Sequence, residues 1–242
     1  MVSNASTFIL NRKDALAFTN NRIRHILSYV IECHRIFLTD NLTYSVSRIN
    51  SDTKIKTEEY FRTKFVDNYL RKNRHLLESI QMDELFFGKE EVEIYQDNEG
   101  IEQEDKIDIY VREVSLQKYW SINEEVYFTV ECKRIKKLSD TKEYIIDIEK
   151  FCNRKYINTR LPFEGQIAFI ENPKLHHTVV VETINKKLLT SSTITTCSFL
   201  TGIKLHSIIQ SSYISTHKKN FLPMEEFSIY HLMFDYSGVV VD

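Results

Sequence analysis

The chain has 242 residues, 42% of them hydrophobic and 27% charged, with 5 Gly and 3 Pro, a balance that excludes a disordered tail or a fibre. Its 32 Lys and Arg against 34 Asp and Glu leave a formal charge of −2, so a polybasic binder is excluded and any nucleic-acid contact must come from a local basic patch. The four cysteines, Cys33, Cys132, Cys152 and Cys197, form no C-x-x-C pair, which argues against a zinc cage or redox motif and for free, buried thiols.

The first apolar run is interrupted after three residues by Asn11-Arg12-Lys13-Asp14, too short for a signal-peptide core. No stretch approaches the roughly 20 apolar residues that span a bilayer. The expectation is a cytoplasmic protein without a membrane partner. Residues 14–38 carry Ala15, Phe18, Ile23, Ile26, Leu27 and Val30 at helical spacing, and the polar stretch 39–56 reads as a linker. Residues 1–56 are thus expected to form an N-terminal helical extension and linker, and 57–242 the main domain. From Thr57 to about Leu77, Phe61, Phe65 and Tyr69 recur at i, i+4, i+8 and predict a second helix.

Residues 91–97 alternate as a short strand. In 106–112, Ile107, Ile109 and Val111 face one way, and Asp108 and Tyr110 the other. In 126–133, Val126, Phe128, Val130 and Cys132 oppose Tyr127, Thr129, Glu131 and Lys133. The connection between these strands suits an extended hairpin better than a helical crossover, so they are expected to pair antiparallel, with Tyr119 and Trp120 in the loop. Residues 143–157 predict an amphipathic helix with Ile145, Ile148, Cys152 and Tyr156 on its apolar stripe and Glu143, Asp147, Lys150 and Arg154 on its polar one. Gly165–Glu171 suits a central strand, 174–190 a helix, and the remainder is strand-rich. His176-His177 has no third ligand in register and reads as surface histidines.

The chemistry concentrates in Asp108 and Glu131-Cys132-Lys133. Residues i and i+2 of a strand project from one face about 6.6 Å apart, so Glu131 and Lys133 stand side by side. In the right register Asp108 joins them. Two carboxylates with a backbone carbonyl, that of Cys132, and water suit Mg²⁺, for which Mn²⁺ can substitute. Such an ion stabilises charge developing on a scissile phosphate, while Lys133 orients or helps deprotonate a water. Lys133 is expected on an exposed rim, dispensable for folding, and removal of Asp108 is expected to relieve repulsion in the metal-free protein.

A strand with an acidic residue (Ile107-Asp108-Ile109), a variable hairpin, a strand ending Val130-Glu131-Cys132-Lys133-Arg134, an amphipathic helix and a further apolar strand (Gly165 to Ile170) together resemble the PD-(D/E)XK, or restriction-endonuclease-like, nucleases. The likeness covers roughly residues 57–172, and its texture is similar to small bacterial members associated with restriction or phage defence. It departs in having Ile107 where the family often has Pro. The resemblance implies an α/β (α+β) fold, with a mixed central sheet flanked by helices. It also implies an acidic residue on the helix before the first core strand, for which Glu58, on the Phe61 and Phe65 face, is preferred to Glu59. The expected catalytic set is Glu58, Asp108, Glu131 and Lys133, with metal held by Asp108, Glu131, the Cys132 carbonyl and Glu58. Arg134, Lys136, Lys137, Lys150 and Arg154 are candidate phosphate contacts.

The expected function is Mg²⁺-dependent cleavage of DNA in prokaryotic restriction or anti-phage defence, as a homodimer or with a partner defence protein. The alternatives are a non-catalytic binding subunit of a defence complex and an RNA-cutting effector.

Overall fold

A computed structural model describes residues 5–82, 84–97, 99–120, 125–156, 161–221 and 225–241. The first helix, α1 (Ala5–Thr39), starts earlier than the apolar spacing predicts. Ile23, Ile26, Leu27, Val30 and Ile31 are buried along it in the same cluster as Phe65, Phe128, Phe169 and Phe234, so the helix expected as an extension is part of the main core. The polar stretch after it is not all linker. Tyr44–Ser45 (β1) pairs in parallel with Val240–Val241 near the other end of the chain, and Ser45 caps a short helix α2 (Val46–Asp52) by accepting the Arg48 N–H at 3.1 Å.

Helix α3 (Thr57–Phe65) runs on as a π-helical turn, Val66–Leu70, and a short α4 (His75–Glu78) completes the segment expected as one helix. Strands β2 (Phe86–Gln96) and β3 (Glu102–Arg112) form a hairpin. Its turn holds Gly100 at φ 77°, where the absence of Cβ is needed. Where an extended hairpin is expected after β3 there is a helix, α5 (Val114–Trp120). Its start is fixed by Glu113, which accepts the Leu116 N–H at 3.0 Å and pairs with Arg22 of α1 at 2.7 Å. Tyr119 stacks on Phe18 at 4.2 Å, and Trp120 Nε1 donates to Thr19 at 2.6 Å. Both aromatics therefore bind α1. Residues 121–124 of this connection, and residue 157, the last of the helix expected over 143–157, lie outside the described residues.

The antiparallel pairing of β3 with β4 (Tyr127–Ile135) is as expected. Then follow α6 (Thr141–Asn153), β5 (Lys155–Tyr156), β6 (Phe163–Ile170), α7 (His177–Leu189), β7 (Thr196–Gly202), β8 (Ser212–Lys218), β9 (Glu226–Asp235) and β10 (Val240–Val241). The main sheet has eight strands in the order β5-β2-β3-β4-β6-β9-β8-β7, with β4, β6 and β9 parallel and the other neighbours antiparallel. The fold is α+β: a mixed sheet flanked by helices, with an N-terminal helix. No helix among the described residues is long and apolar enough to cross a membrane.

Period-2 alternation divides the core into two layers. Val130, Cys132, Ile167, Phe169, Leu232 and Phe234 meet α1 and α3, while Ile135, Ala168, Ile170, Ile229 and Met233 meet α6 and α7. The buried face of α6 differs from the expected stripe: Tyr144, Asp147, Ile148, Phe151 and Cys152 point inward, whereas Ile145 is half-buried and Tyr156 belongs to β5. All four cysteines are free thiols, but Cys197 is exposed, on β7.

Two features yield stability predictions. Gly165 of β6 lies opposite Val130, and a Cβ there would stand 2.7 Å from Val130 Cγ2 and 2.9 Å from Phe128 Cζ. Gly165→Ala is expected to lower stability by about 1–3 kcal/mol in urea unfolding, the usual cost of overpacking. The second feature is a buried chain in which the Ser215 hydroxyl lies 2.8 Å from His231 Nε2 and 2.8 Å from His217 Nε2, and His231 Nδ1 lies 2.9 Å from the Tyr144 hydroxyl. Burial holds His217 down to about 4 and His231 below its ordinary value. The unfolded chain thus takes up protons near pH 6.5 while the folded one does not, so stability is full above that pH and falls towards pH 4. Urea midpoints across this window should decline less steeply in His217→Gln than in the wild type.

Candidate active site

The β3–β4 ladder pairs Arg112 with Tyr127, Tyr110 with Thr129 and Ile109 with Val130. The next residues in that register are Asp108 and Glu131, and there a side chain takes over from the backbone: Asp108 Oδ2 accepts the Cys132 N–H at 2.8 Å. The other Asp108 oxygen accepts a hydrogen bond from Arg62 of α3. Glu131 is within hydrogen-bonding reach of Asp108. Burial first, then the Asp108 and Asp147 charges, push its carboxyl well above the usual range.

Lys133 projects two residues further along β4. Its Nζ lies 3.0 Å from Asp147 of α6 and 3.6 Å from Glu58 of α3, and it donates to the Cys132 carbonyl at 3.1 Å. Burial acts to lower the pKa of this ammonium, but Asp147, Glu58, Asp108 and Glu131 together outweigh it and raise it, so Lys133 holds its proton at neutral pH. The side chain is 19% exposed and faces an aspartate that is 2% exposed. It is therefore an inner element of the site, not the exposed rim amine that the sequence suggests.

Glu58 closes the site from α3, with Oε2 accepting the Arg134 N–H at 3.0 Å. Burial raises its carboxyl against the lowering effect of Lys133. Glu59 turns to Glu90, in the company of Arg62 and Lys106. The four expected catalytic residues thus come together from β3, β4 and α3.

Arg62 and Asp147 are members of the site that the sequence reading did not assign. Arg62 is 6% exposed and bridges Asp108 to Glu90, whose Oε1 it meets at 2.6 Å. Glu90 stands opposite Asp108 across the hairpin at φ 55°, a left-handed conformation uncommon for such a residue. The sequence carries a signal for Arg62, which lies one helical turn after Glu58 and so on the same face. Asp147 is masked by its neighbours: read with Glu143, Lys150 and Arg154 it looks solvated, yet it shares a stripe with Tyr144 and Phe151.

The expected phosphate contacts divide. Arg134 forms a two-pronged pair with Glu171 and lies over the Phe61 ring at 5.4 Å. Lys150 lies 3.4 Å and Arg154 2.5 Å from Asp105, and Arg154 also lies over the Tyr95 ring at 4.2 Å. Lys136 and Lys137 remain exposed in the turn before α6. Lys219, directly after β8, donates to the Phe151 carbonyl at 2.7 Å.

Glu58, Asp108, Glu131 and Asp147 set four carboxylates against the cations Lys133 and Arg62, an excess that a divalent cation would balance. Donor types and charge therefore fit Mg²⁺. Among the described residues no group of three side chains is already arranged around one point as metal ligands. Asp108 in particular is engaged by Arg62 and Cys132, so its part in holding a metal requires Arg62 to yield an oxygen. Comparisons with protein-family models, with curated proteins and with solved structures gave no significant match.

The geometry reverses one expectation. Asp108 anchors a buried guanidinium and a backbone amide, so Asp108→Ala should not relieve repulsion but cost about 3–5 kcal/mol, the usual penalty for stranding one member of a buried pair. Glu131→Gln removes a carboxylate held above its ordinary range, and should be neutral or stabilising in the metal-free protein. Urea unfolding of the two variants at neutral pH in the presence of chelator measures the contrast.

Proposed function

We propose that the protein is a cytoplasmic, Mg²⁺-dependent endonuclease of the PD-(D/E)XK type, hydrolysing DNA phosphodiester bonds in prokaryotic restriction or anti-phage defence. The observation that carries the reading is the convergence of Asp108, Glu131, Glu58 and Lys133 from three elements of the fold where the β3–β4 ladder ends. Their excess of negative charge supports a divalent cation at Asp108, Glu131 and the Cys132 carbonyl, with Glu58 beside them. Mg²⁺ supplies Lewis-acid stabilisation of the phosphate charge and a more acidic bound water.

The chain's own groups divide the remaining work. Lys133 keeps its proton, so it serves by charge and hydrogen-bond donation: it orients the attacking water and offsets negative charge at the phosphate. A proton leaving that water goes to a carboxylate. Asp147 fixes the Lys133 amine from below and is a positioning residue.

The binding-subunit reading has one observation in its favour: Arg134 and Arg154 are matched by Glu171 and Asp105, and Lys150 stands between Asp105 and Asp147, leaving few free cations beside the site. Under the nuclease reading the missing phosphate contacts come from a second copy of the chain or a partner defence protein.

The test is cleavage of plasmid, linear duplex, single-stranded DNA and RNA by the purified protein, with Mg²⁺, with Mn²⁺ and with chelator. Metal-dependent cleavage of DNA is expected, falling by at least about 10²-fold in Glu131→Gln, a loss of the order seen when one transition-state contact is removed. The melting temperature of that variant should match or exceed the wild type. Cleavage of RNA alone would shift the substrate. Absence of cleavage on every substrate, with candidate partners added, would hand the site to the binding reading.

A further inference from the structure

A concavity of about 330 Å³ opens at the carboxyl ends of the parallel strands β6 and β9, against the last turns of α1. This is the end of an open α/β sheet at which ligand crevices form, and the volume is that of a small-molecule site. None of the expected catalytic residues lines it. Its floor is apolar, with Ile170, Leu175, Ile209 and Phe234.

The two ends of the cleft differ in charge. One is the N-terminus of α7, where Lys174, His176 and His177 line the wall. That helix has 13 residues, no side chain caps its first amides, and its first turn holds no acidic residue. The partial positive charge of the helix end is thus uncompensated by its own sequence. Lys174 is exposed and has no ion pair among the described residues. His177 Nδ1 is 2.6 Å from the Tyr213 hydroxyl and His176 Nδ1 is 2.8 Å from the Thr178 hydroxyl.

The other end holds His34 and Asp235. His34 is 3% exposed, stacked on Phe234 at 3.8 Å with the planes 4° apart, and its Nε2 is buried without a hydrogen-bond partner. A polar atom in that position is costly unless something pairs with it. Burial holds the ring neutral, with its pKa down to about 3, so it calls for a neutral hydrogen-bonding group. Asp235 repels an anion at this end. Arg35, also in the wall, is matched to Glu32 at 2.6 Å and adds little net charge.

We propose that this cleft binds a small organic anion. Its phosphate or carboxylate lies against the α7 N-terminus and Lys174, its apolar or aromatic body lies on the Ile170–Phe234 floor, and a neutral polar group lies beside the His34 ring. The assignment does not rest on the nuclease reading.

Isothermal titration of the full chain with adenosine 5′-monophosphate, 4-hydroxyphenylacetate, inorganic phosphate and adenosine tests it. At least one of the two organic anions is expected to bind with a submillimolar Kd, and which one does so separates a phosphate from a carboxylate ligand. Inorganic phosphate, lacking the body, and adenosine, lacking the charge, should each bind at least about tenfold more weakly. Lys174→Glu is at the surface and should weaken the organic anion about tenfold without changing the melting temperature. His34→Phe should weaken the organic anions and leave inorganic phosphate as it was. Should His34→Phe fail to fold, Lys174→Glu still decides. Three results overturn the proposal: no binding by either organic anion at millimolar concentration, binding indifferent to Lys174→Glu, or adenosine binding as tightly as its monophosphate.

Discussion

The Lys133 ammonium, with Asp147 at 3.0 Å and Glu58 at 3.6 Å, is the interaction on which this end of the molecule depends. Asp147 brings α6 to the sheet from one side and Glu58 brings α3 from the other, so one strand residue fixes both helices. Arg62 plays the matching part for β3, tying Asp108 to α3 and to Glu90 of β2. Stability alone does not require such a cluster. Buried ion pairs repay little more than their own desolvation, and well-packed apolar residues of similar volume serve a fold as well or better. A cluster with more carboxylates than cations is worse still for the metal-free protein, because Glu58, Glu131 and Asp147 are all held above their ordinary proton affinities, burial being the first cause in each. Charge placed against the interest of stability is commoner at functional sites than elsewhere in proteins.

What the sequence made legible follows from periodicity. The alternation in 106–112 and 126–133 gave the strand faces, and with them the meeting of Asp108, Glu131 and Lys133, because a face is set locally. The apolar run from Gly165 was a sound signal for the central strand, which is covered on both sides. The failures were tertiary. The stretch 39–56 looked like a linker because β1 is two residues long and finds its partner at Val240 and Val241, far along the chain. The connection after β3 turned helical because Glu113 caps it and α1 receives its aromatics. In α6 Ile148 and Cys152 face inward as expected, but Tyr144, Asp147 and Phe151 complete that face in place of Ile145, and no local rule says that an aspartate faces a lysine from the sheet.

The basic residues show the same limit in electrostatic form. Arg134 follows the Glu-x-Lys stretch directly and was expected to face phosphate, but strand pairing sets β6 beside β4, and Glu171, just past the end of β6, reaches it. Arg154 and Lys150 find Asp105 on the hairpin in the same way. Such partners lie tens of residues away in sequence and are invisible to a reading of spacing. The consequence for binding is physical: a guanidinium already matched to a carboxylate brings no counterion release when a phosphate approaches, so it adds little to affinity. Lys136 and Lys137, which remain exposed, are the residues beside the site that can still supply that term.

The segment after β6 belongs to two places at once. Glu171 holds Arg134, and the Glu171 N–H donates to the Ile135 carbonyl at 3.1 Å, while the Asn172 amide donates to the Lys136 carbonyl at 3.1 Å. One residue further, Pro173 to His177 form a wall of the cleft under α1. The carboxylate cluster and the cleft therefore share a short piece of backbone whose hydrogen bonds run to the carboxyl end of β4, immediately beyond Lys133. Close-packed interiors transmit displacement rather than absorb it. A shift of this segment by a bound molecule would move Glu171, hence Arg134, whose amide is the donor that fixes Glu58. The route from cleft to carboxylates thus runs through the hydrogen bonds that tie this segment to Ile135 and Lys136 and through the paired side chains of Glu171 and Arg134.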